Sequence, residues 1–341
     1  MSVHSNDTGL RERIFSVSGE TFESLAIDIC HFQYRENPLY RQYCDALHID
    51  IRTVQQLSQI PFLPIGFFKT KTITTTRFTP EAVFESSGTT GQVNSKHHVK
   101  DLSLYETSFN KAFRLFYGDL SNYCILGLLP SYLERKNASL VYMVDHWIRS
   151  SGHPNSGFYL YDHEKLRDTL LENEQHKQPT ILIGVSYALL DFAEKYPMQL
   201  RHTIVMETGG MKGRSREITK QALHEILQQR LGLSAIHSEY GMTELLSQAY
   251  SPAAGIFETP PWVKIVLRAE DDPFDLPGIP PEKGFATGAV NIIDLANLYS
   301  CAFIATDDTA KLFSTGHFEI TGRLENCDVR GCGLMVEMSE G

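Results

Sequence analysis

The sequence predicts an α/β protein, and three observations carry that expectation. The 341 residues are 42% hydrophobic, 21% charged and 11% aromatic, a globular composition with apolar mass for a sizeable core. From about residue 80 onward, apolar runs of strand length alternate with amphipathic stretches, which is the grammar of βαβ units. After Ile256 the pattern changes to short strands separated by turns such as Asp272-Pro273, Leu276-Pro277-Gly278 and Pro280-Pro281, as in a β-rich subdomain.

The elements follow in chain order. The first seventy residues read as helical: Phe22, Leu25, Ala26 and Ile29 recur at helical spacing within residues 20–32, and residues 54–60 give a second short helix. Two prolines break the periodicity of Ile60-Pro-Phe-Leu-Pro-Ile-Gly-Phe-Phe-Lys69, and the β-branched residues 70–78 predict an exposed strand. Buried strands are expected at residues 123–129, 180–185 and 203–207 and short apolar strands at Ala82-Val83-Phe84 and 233–236, with helices over 102–116, 186–195 and 216–231. The expected organisation is a helical segment (1–70), an α/β core (71–255) and a β-rich subdomain with a C-terminal tail (256–341).

Charge and cysteine content exclude several classes. Lys and Arg number 31 against 41 Asp and Glu, a net charge of -10, which argues against a phosphate-backbone surface and so against nucleic acid. The polar, mixed-charge N-terminus has no apolar core of a secretory leader. The most apolar windows, 124–130 and 181–192, fall short of the roughly 20 residues that cross a bilayer. Six cysteines (Cys30, Cys44, Cys124, Cys301, Cys327, Cys332) without a CxxC fit neither a disulfide scaffold nor a zinc ribbon, and a reducing cytoplasm is the expected location.

Three segments carry chemistry. Glu85-Ser86-Ser87-Gly88-Thr89-Thr90-Gly91 follows a short apolar strand, with Lys96 close behind. Its glycines let backbone N–H groups approach an anion and its hydroxyls add donors, although the Walker A pattern is absent and a polar hairpin turn reads equally well. His237-Ser-Glu-Tyr240-Gly241-Met242-Thr243-Glu244 offers a tyrosine to stack on a base and a Thr-Glu pair for a phosphate and magnesium. The same stretch reads as a strand-to-helix turn with Thr243 as N-cap. Ile304-Ala-Thr306-Asp307-Asp308 reads as a strand ending in two carboxylates, followed by a turn and then Phe318-Glu-Ile-Thr-Gly322-Arg323. A carboxylate there suits a ribose diol, a cation or a solvated turn.

Taken together, and in this order, the three segments resemble the adenylate-forming (acyl-activating) superfamily, and within it the LuxE-type acyl-protein synthetases related to phenylacetate-CoA ligases. Ser86-Ser-Gly-Thr-Thr-Gly91 matches the phosphate loop, Tyr240-Gly-Met-Thr-Glu244 the adenine and magnesium motif, and Thr306-Asp-Asp308 the ribose motif, with Gly322-Arg323 as the Gly-Arg before the hinge. Glu207-Thr-Gly-Gly-Met-Lys-Gly213 falls where the family places an adenine-contacting loop. The resemblance covers roughly residues 60–335 and implies the superfamily's N-terminal domain fold with a smaller β-rich subdomain. It also implies ATP-dependent activation of a fatty or aryl carboxylic acid to an acyl-adenylate, with magnesium, and acyl transfer to a thiol.

Carried over by position, the resemblance has Ser86, Ser87, Gly88, Thr89, Thr90, Gly91 and Lys96 hold the β and γ phosphates. Thr243 contacts the α-phosphate and Glu244 the metal. Gly209, Gly210, Tyr240 and Gly241 form the adenine slot, Asp308 holds the ribose, and Arg323 bridges ribose and phosphate. Most of the superfamily continues into a mobile C-terminal lid domain of about a hundred residues bearing a catalytic lysine. This chain stops at Gly341, so the lid and its lysine are expected to be lacking. The tail Asn326-Cys327-Asp-Val-Arg330-Gly331-Cys332-Gly333 resembles the end of LuxE-type chains, which makes Cys332 the expected acyl acceptor and Cys327 the second choice. Flanking glycines give the segment freedom and Arg330 favours a thiolate. A carrier protein's thiol and coenzyme A are alternative acceptors, and an acyl-protein reductase is an expected partner.

Two rival readings remain. Gly184-Val-Ser186-Tyr-Ala188 is one glycine short of a Gly-x-Ser-x-Gly nucleophile elbow, which would make a serine hydrolase with Ser186. By the resemblance it is instead a helix start lining the acyl pocket with Tyr187 and Leu189. The other alternative is a nucleotide-binding scaffold without turnover. His97-His98 lacks metal-binding spacing such as His-Glu-x-x-His.

Overall fold

The computed structural model describes residues 5–86, 93–129, 137–209 and 218–324. The chain divides into two compact units, one made of Met1–Ser108, Thr243–Ser247 and Thr259–Gly341, the other of Phe109–Met242 and Gln248–Glu258. The architecture is α/β, as the sequence predicts.

In the second unit, five strands run parallel in the order Gly157–Phe158, Cys124–Leu128, Thr180–Val185, Thr203–Thr208, His237–Tyr240, and Ala249–Ser251 closes the edge antiparallel. Cys124–Leu128 and Thr180–Val185 are buried along their whole length, which is why they read as continuous apolar runs. The connecting helices are Ser139–Ser151, His163–Gln175, Ser186–Lys195 and Lys220–Leu231. Asp162 and Thr219 cap two of them by accepting the Lys165 and Ala222 amides. Gly184 sits where a Cβ would fall 2.9 Å from the Leu189 side chain, so the helix that starts at Ser186 can lie close against its own strand.

In the first unit an antiparallel sheet runs Phe318–Arg323, Phe303–Phe313, Phe285–Asp294, Val263–Arg268, with Leu63–Pro64 pairing parallel to Phe303–Phe313. Among the described residues no helix follows Leu231, in keeping with the β-rich C-terminal region. A separate hairpin pairs Ala82–Glu85 with Lys96–Val99, Glu85 opposite Lys96. Helices Phe22–Glu36 and Pro38–Ala46 are joined at Asn37, whose side chain accepts the Tyr40 amide and donates to the Ser300 carbonyl. The first helix buries Phe22, Leu25, Ala26, Ile29 and Phe32, and each large apolar side chain so covered contributes about 1.5–3 kcal/mol.

Four expectations need correction. Residues 71–78 form no strand: Thr75 is fully buried, its hydroxyl and amide are bound to the Ser300 and Tyr299 carbonyls, and Thr76 has φ 71°. Those bonds use the backbone groups that a ladder would need. The short helix of residues 54–60 contracts to a single 3₁₀ turn at Leu57–Gln59. The strand expected at 233–236 lies four residues later, at His237–Tyr240, and no helix follows Thr243; the chain turns and returns as Ala249–Ser251. The strand bearing Asp307 and Asp308 does not end there but continues to Phe313, so both carboxylates are mid-strand.

Candidate functional site

Within the first unit, direct bonds join two segments far apart in sequence, and an arginine of the third acts on them electrostatically. Two bonds join Ser86 to Ser95: the Ser95 amide donates to the Ser86 hydroxyl at 2.9 Å, and the Ser86 amide to the Ser95 carbonyl at 3.1 Å. The Ser95 hydroxyl in turn donates to the carboxylate of Glu244, which is 6% exposed. Burial pushes the Glu244 carboxyl above its ordinary range, while Ser95, Arg323 and Lys69 favour its ionised form. Arg323 meets the third segment, its Nε lying 3.2 Å from Asp308 and its terminal nitrogen 3.8 Å from Asp307. Asp308 and Arg323 are direct cross-strand partners, so the sheet register itself places this pair.

Thr306 serves the backbone. Its hydroxyl donates to the Val290 carbonyl and accepts the Asp308 amide, while the buried Arg268 donates to the Thr306, Val290 and Asn291 oxygens at 2.6–2.8 Å. The Thr243–Ser247 turn is held just as firmly. His97 Nδ1 lies 2.8 Å from the Thr243 carbonyl, Asn297 donates to the Glu244 carbonyl at 2.7 Å, and Asp294 accepts the Leu246 amide and the Ser247 hydroxyl. Burial lowers His97 to about 4, so the ring is neutral at physiological pH. Lys96 is more than half exposed and its ammonium sits 3.8 Å from Glu85 on the facing strand.

Within the second unit, Gly209 (φ 75°) and Gly241 follow the C-terminal ends of the adjacent parallel strands Thr203–Thr208 and His237–Tyr240, the end where α/β sheets ordinarily receive ligands. Thr208 and Glu239 are register partners, and the Thr208 hydroxyl donates to the Glu239 carboxylate. Burial pushes Glu239 up to about 7, with the neighbouring Glu207 adding to the rise. Burial also opposes ionisation of Glu207, but His224, Lys220 at 2.8 Å and Ser238 hold it down to about 2. Tyr240 packs against Phe257, ring centroids 5.8 Å apart.

The Tyr-Gly-Met-Thr-Glu stretch is therefore shared, Tyr240 and Gly241 belonging to one unit and Thr243 and Glu244 to the other. Ser87, Gly88, Thr89, Thr90, Gly91, Gly210, Cys327 and Cys332 lie outside the described residues. Sequence reading missed Lys69, Ser95, His97, Asn297 and Arg268. For Ser95 and His97 the only available signal was the alternation beside Lys96, which puts residues 95, 97 and 99 on the buried face and 96 on the other.

The hydrolase arrangement does not form at Ser186. Its hydroxyl is buried and donates to the Glu207 carboxylate at 2.9 Å, and the imidazole of the cluster, His224, lies on the far side of that carboxylate. A serine nucleophile needs the imidazole, not the carboxylate, beside its oxygen. Cys30, Cys44, Cys124 and Cys301 are buried, and burial raises all four thiols, Cys30 and Cys301 to about 12. Among the described residues no group of three or more His, Cys, Asp or Glu side chains could hold a metal, and no helix is long and apolar enough to cross a membrane. Magnesium in nucleotide sites is held through one or two carboxylates together with phosphate oxygens and waters, so a single buried carboxylate such as Glu244 fits that ion.

The chain is similar to known proteins at the level of family and fold. The family model described as acyl-protein synthetase, LuxE, matches residues 19–340. No curated protein matches the chain. Among solved structures, ATP-bound MatB from Rhodopseudomonas palustris superposes with a TM-score of 0.54 at 14% identity, covering 72% of this chain and 49% of that one. An ATP-bound RpMatB-BxBclM chimera gives 0.54 at 13% identity, with 73% and 49% covered. The luciferase-like enzyme of the nonluminescent mealworm Zophobas morio gives 0.50 at 15%, with 74% and 60% covered. At such identities the likeness is one of fold, and the chain spans about half the length of the first two.

Proposed function

The chain belongs to the acyl-protein synthetase (LuxE) family and carries the adenylate-forming fold, and from that premise we propose that it activates a carboxylic acid, fatty or aryl, with ATP and passes the acyl group to a thiol. The acid's carboxylate oxygen attacks the α-phosphorus, the bond from that phosphorus to the pyrophosphate oxygen breaks, and an acyl-adenylate forms. A thiolate sulfur then attacks the acyl carbon and AMP leaves.

The observation supporting this reading is that, within one unit, Ser95 hydrogen-bonds Glu244, Arg323 acts on that carboxylate electrostatically without pairing to it, and Arg323 pairs with Asp308. Carboxylate and triphosphate repel each other, so the reaction requires fixed positive charge and donors around the reacting phosphorus. In the proposed site Ser86, Ser87, Gly88, Thr89, Thr90, Gly91 and Lys96 hold the outer phosphates, Thr243 the α-phosphate and Asp308 the ribose. Gly209, Gly210, Gly241 and Tyr240 flank the adenine, and Arg323 spans ribose and phosphate. Magnesium, when bound at Glu244, supplies charge neutralisation to the phosphates.

Pyrophosphate release measured across a library of fatty and aryl acids tests the reading. Release that depends on both ATP and one class of acid is the expected result. ATP binding without release would leave a nucleotide-binding scaffold, and ester cleavage without ATP would leave a hydrolase; either overturns the proposal. For the second half-reaction we propose Cys332 as the acceptor. Radiolabelled acid plus ATP should label the wild-type chain and not Cys332→Ser, and a Cys332→Ser chain labelled to the same extent removes that assignment. Acyl transfer only on addition of coenzyme A, a carrier protein or an acyl-protein reductase would move the acceptor to that partner.

A further inference from the structure

We propose that His97 is a positioning residue that ties the hairpin of Ala82–Glu85 and Lys96–Val99 to the Thr243–Glu244 turn, an inference that rests on the proposed role of Glu244. Four observations carry it. His97 is 1% exposed, and its Nδ1 lies 2.8 Å from the Thr243 carbonyl oxygen, which can only accept; the proton must therefore be on Nδ1. Its ring meets Phe68 edge-on, centroids 5.8 Å apart at 86°, which restricts rotation of the imidazole. Ser95, two residues earlier on the same buried face, donates to the Glu244 carboxylate. The strand Lys96–Val99 and the residue just before it thus grip the same turn twice, at its main chain through His97 and at its carboxylate through Ser95.

The remaining groups of the turn are held from elsewhere in the unit. Asn297 takes the Glu244 carbonyl, and Asp294 takes the Leu246 amide and the Ser247 hydroxyl. Loss of the His97 contact alone therefore frees the first carbonyl of the turn and lets Glu244 depart from the orientation that Ser95 sets. Groups that act on a metal through its ligand commonly change metal affinity tenfold to a hundredfold.

Three side chains separate positioning from bulk. His97→Asn keeps an N–H donor near the place of Nδ1, His97→Gln moves it to the place of Nε2, and His97→Phe keeps the ring volume without a donor. Hydrogen exchange of the amides of residues 244–247 should quicken in the Phe and Gln chains and return toward wild type in the Asn chain, with thermal midpoints alike for Asn and Gln. The magnesium concentration that half-saturates binding of a non-hydrolysable ATP analogue should rise about tenfold in Phe and Gln and stay within about threefold of wild type in Asn. Wild-type chain labelled with ¹⁵N-histidine should show His97 as the neutral Nδ1–H tautomer.

An Nε2–H tautomer overturns the proposal without any variant having to fold, and so does unchanged exchange in the Phe chain or equal behaviour of the Asn and Gln chains. A wild-type chain that binds no nucleotide, yet shows the expected exchange pattern and tautomer, fails the proposed function while leaving the positioning role standing.

Discussion

The two units treat buried carboxylates in opposite ways. In the parallel-sheet unit, Glu207 is compensated inside the fold: Lys220, His224, Ser186 and Ser238 surround it and keep it ionised down to about 2. In the antiparallel-sheet unit, Glu244 is buried to a similar degree, yet among the described residues no cation stands within ion-pairing distance, and its carboxyl is pushed up rather than down. A compensated charge is a structural element, whereas an undercompensated one retains an unmet demand for positive charge. By that measure Glu244 has charge to offer a ligand and Glu207 has little.

Four measurements would break or sharpen this contrast. Glu207→Gln should be the most damaging to stability, by about 3 kcal/mol, because it leaves Lys220 and His224 beside a neutral amide; chemical denaturation reads it directly. The carboxyl of Glu207 is depressed from 4.5 to about 2, so its stabilising share is present above pH 4.5 and lost as pH falls through about 2, a loss absent from the variant. Glu244→Gln should do the reverse, lowering acid-dependent pyrophosphate release about 10²–10³-fold while leaving the thermal midpoint at neutral pH unlowered. The sign follows from the raised carboxyl: its contribution is full at low pH and falls as pH rises, so a neutral amide sacrifices nothing at pH 7.

Glu239, raised from 4.5 to about 7, should make the wild-type chain lose on the order of 3 kcal/mol between those two pH values. Glu239→Gln should flatten that slope, and an unchanged denaturation profile would contradict the assignment. The smallest effect is expected for Lys96→Met. An exposed pair at 3.8 Å is worth less than about 1 kcal/mol, so any larger consequence would have to appear in the KM for ATP.

The fold was more legible than the site, for a physical reason. Strands such as Thr180–Val185 are buried on both faces and so read as unbroken apolar runs, and helices such as Ser186–Lys195 carry their own period. Residues 71–78 misled because β-branched composition does not reveal that Thr75 spends its donors on the Ser300 and Tyr299 carbonyls. The Asp307-Asp308 pair looked like a strand end because the chain continues into the pairing partner of Phe318–Arg323 with residues that alternate weakly. In the site, motif residues were visible as motifs; their supports were not. His97 reaches Thr243 across 146 positions and Asn297 reaches Glu244 across 53, and a linear pattern holds no record of such pairings.

Burial of Cys30, Cys44, Cys124 and Cys301 has a practical consequence. Maleimides and iodoacetamides react through the thiolate, and solvent-shielded sulfurs with raised thiol pKa values do not supply it at neutral pH. A fluorophore or spin label applied to the native chain at neutral pH would therefore leave these four core cysteines unmodified.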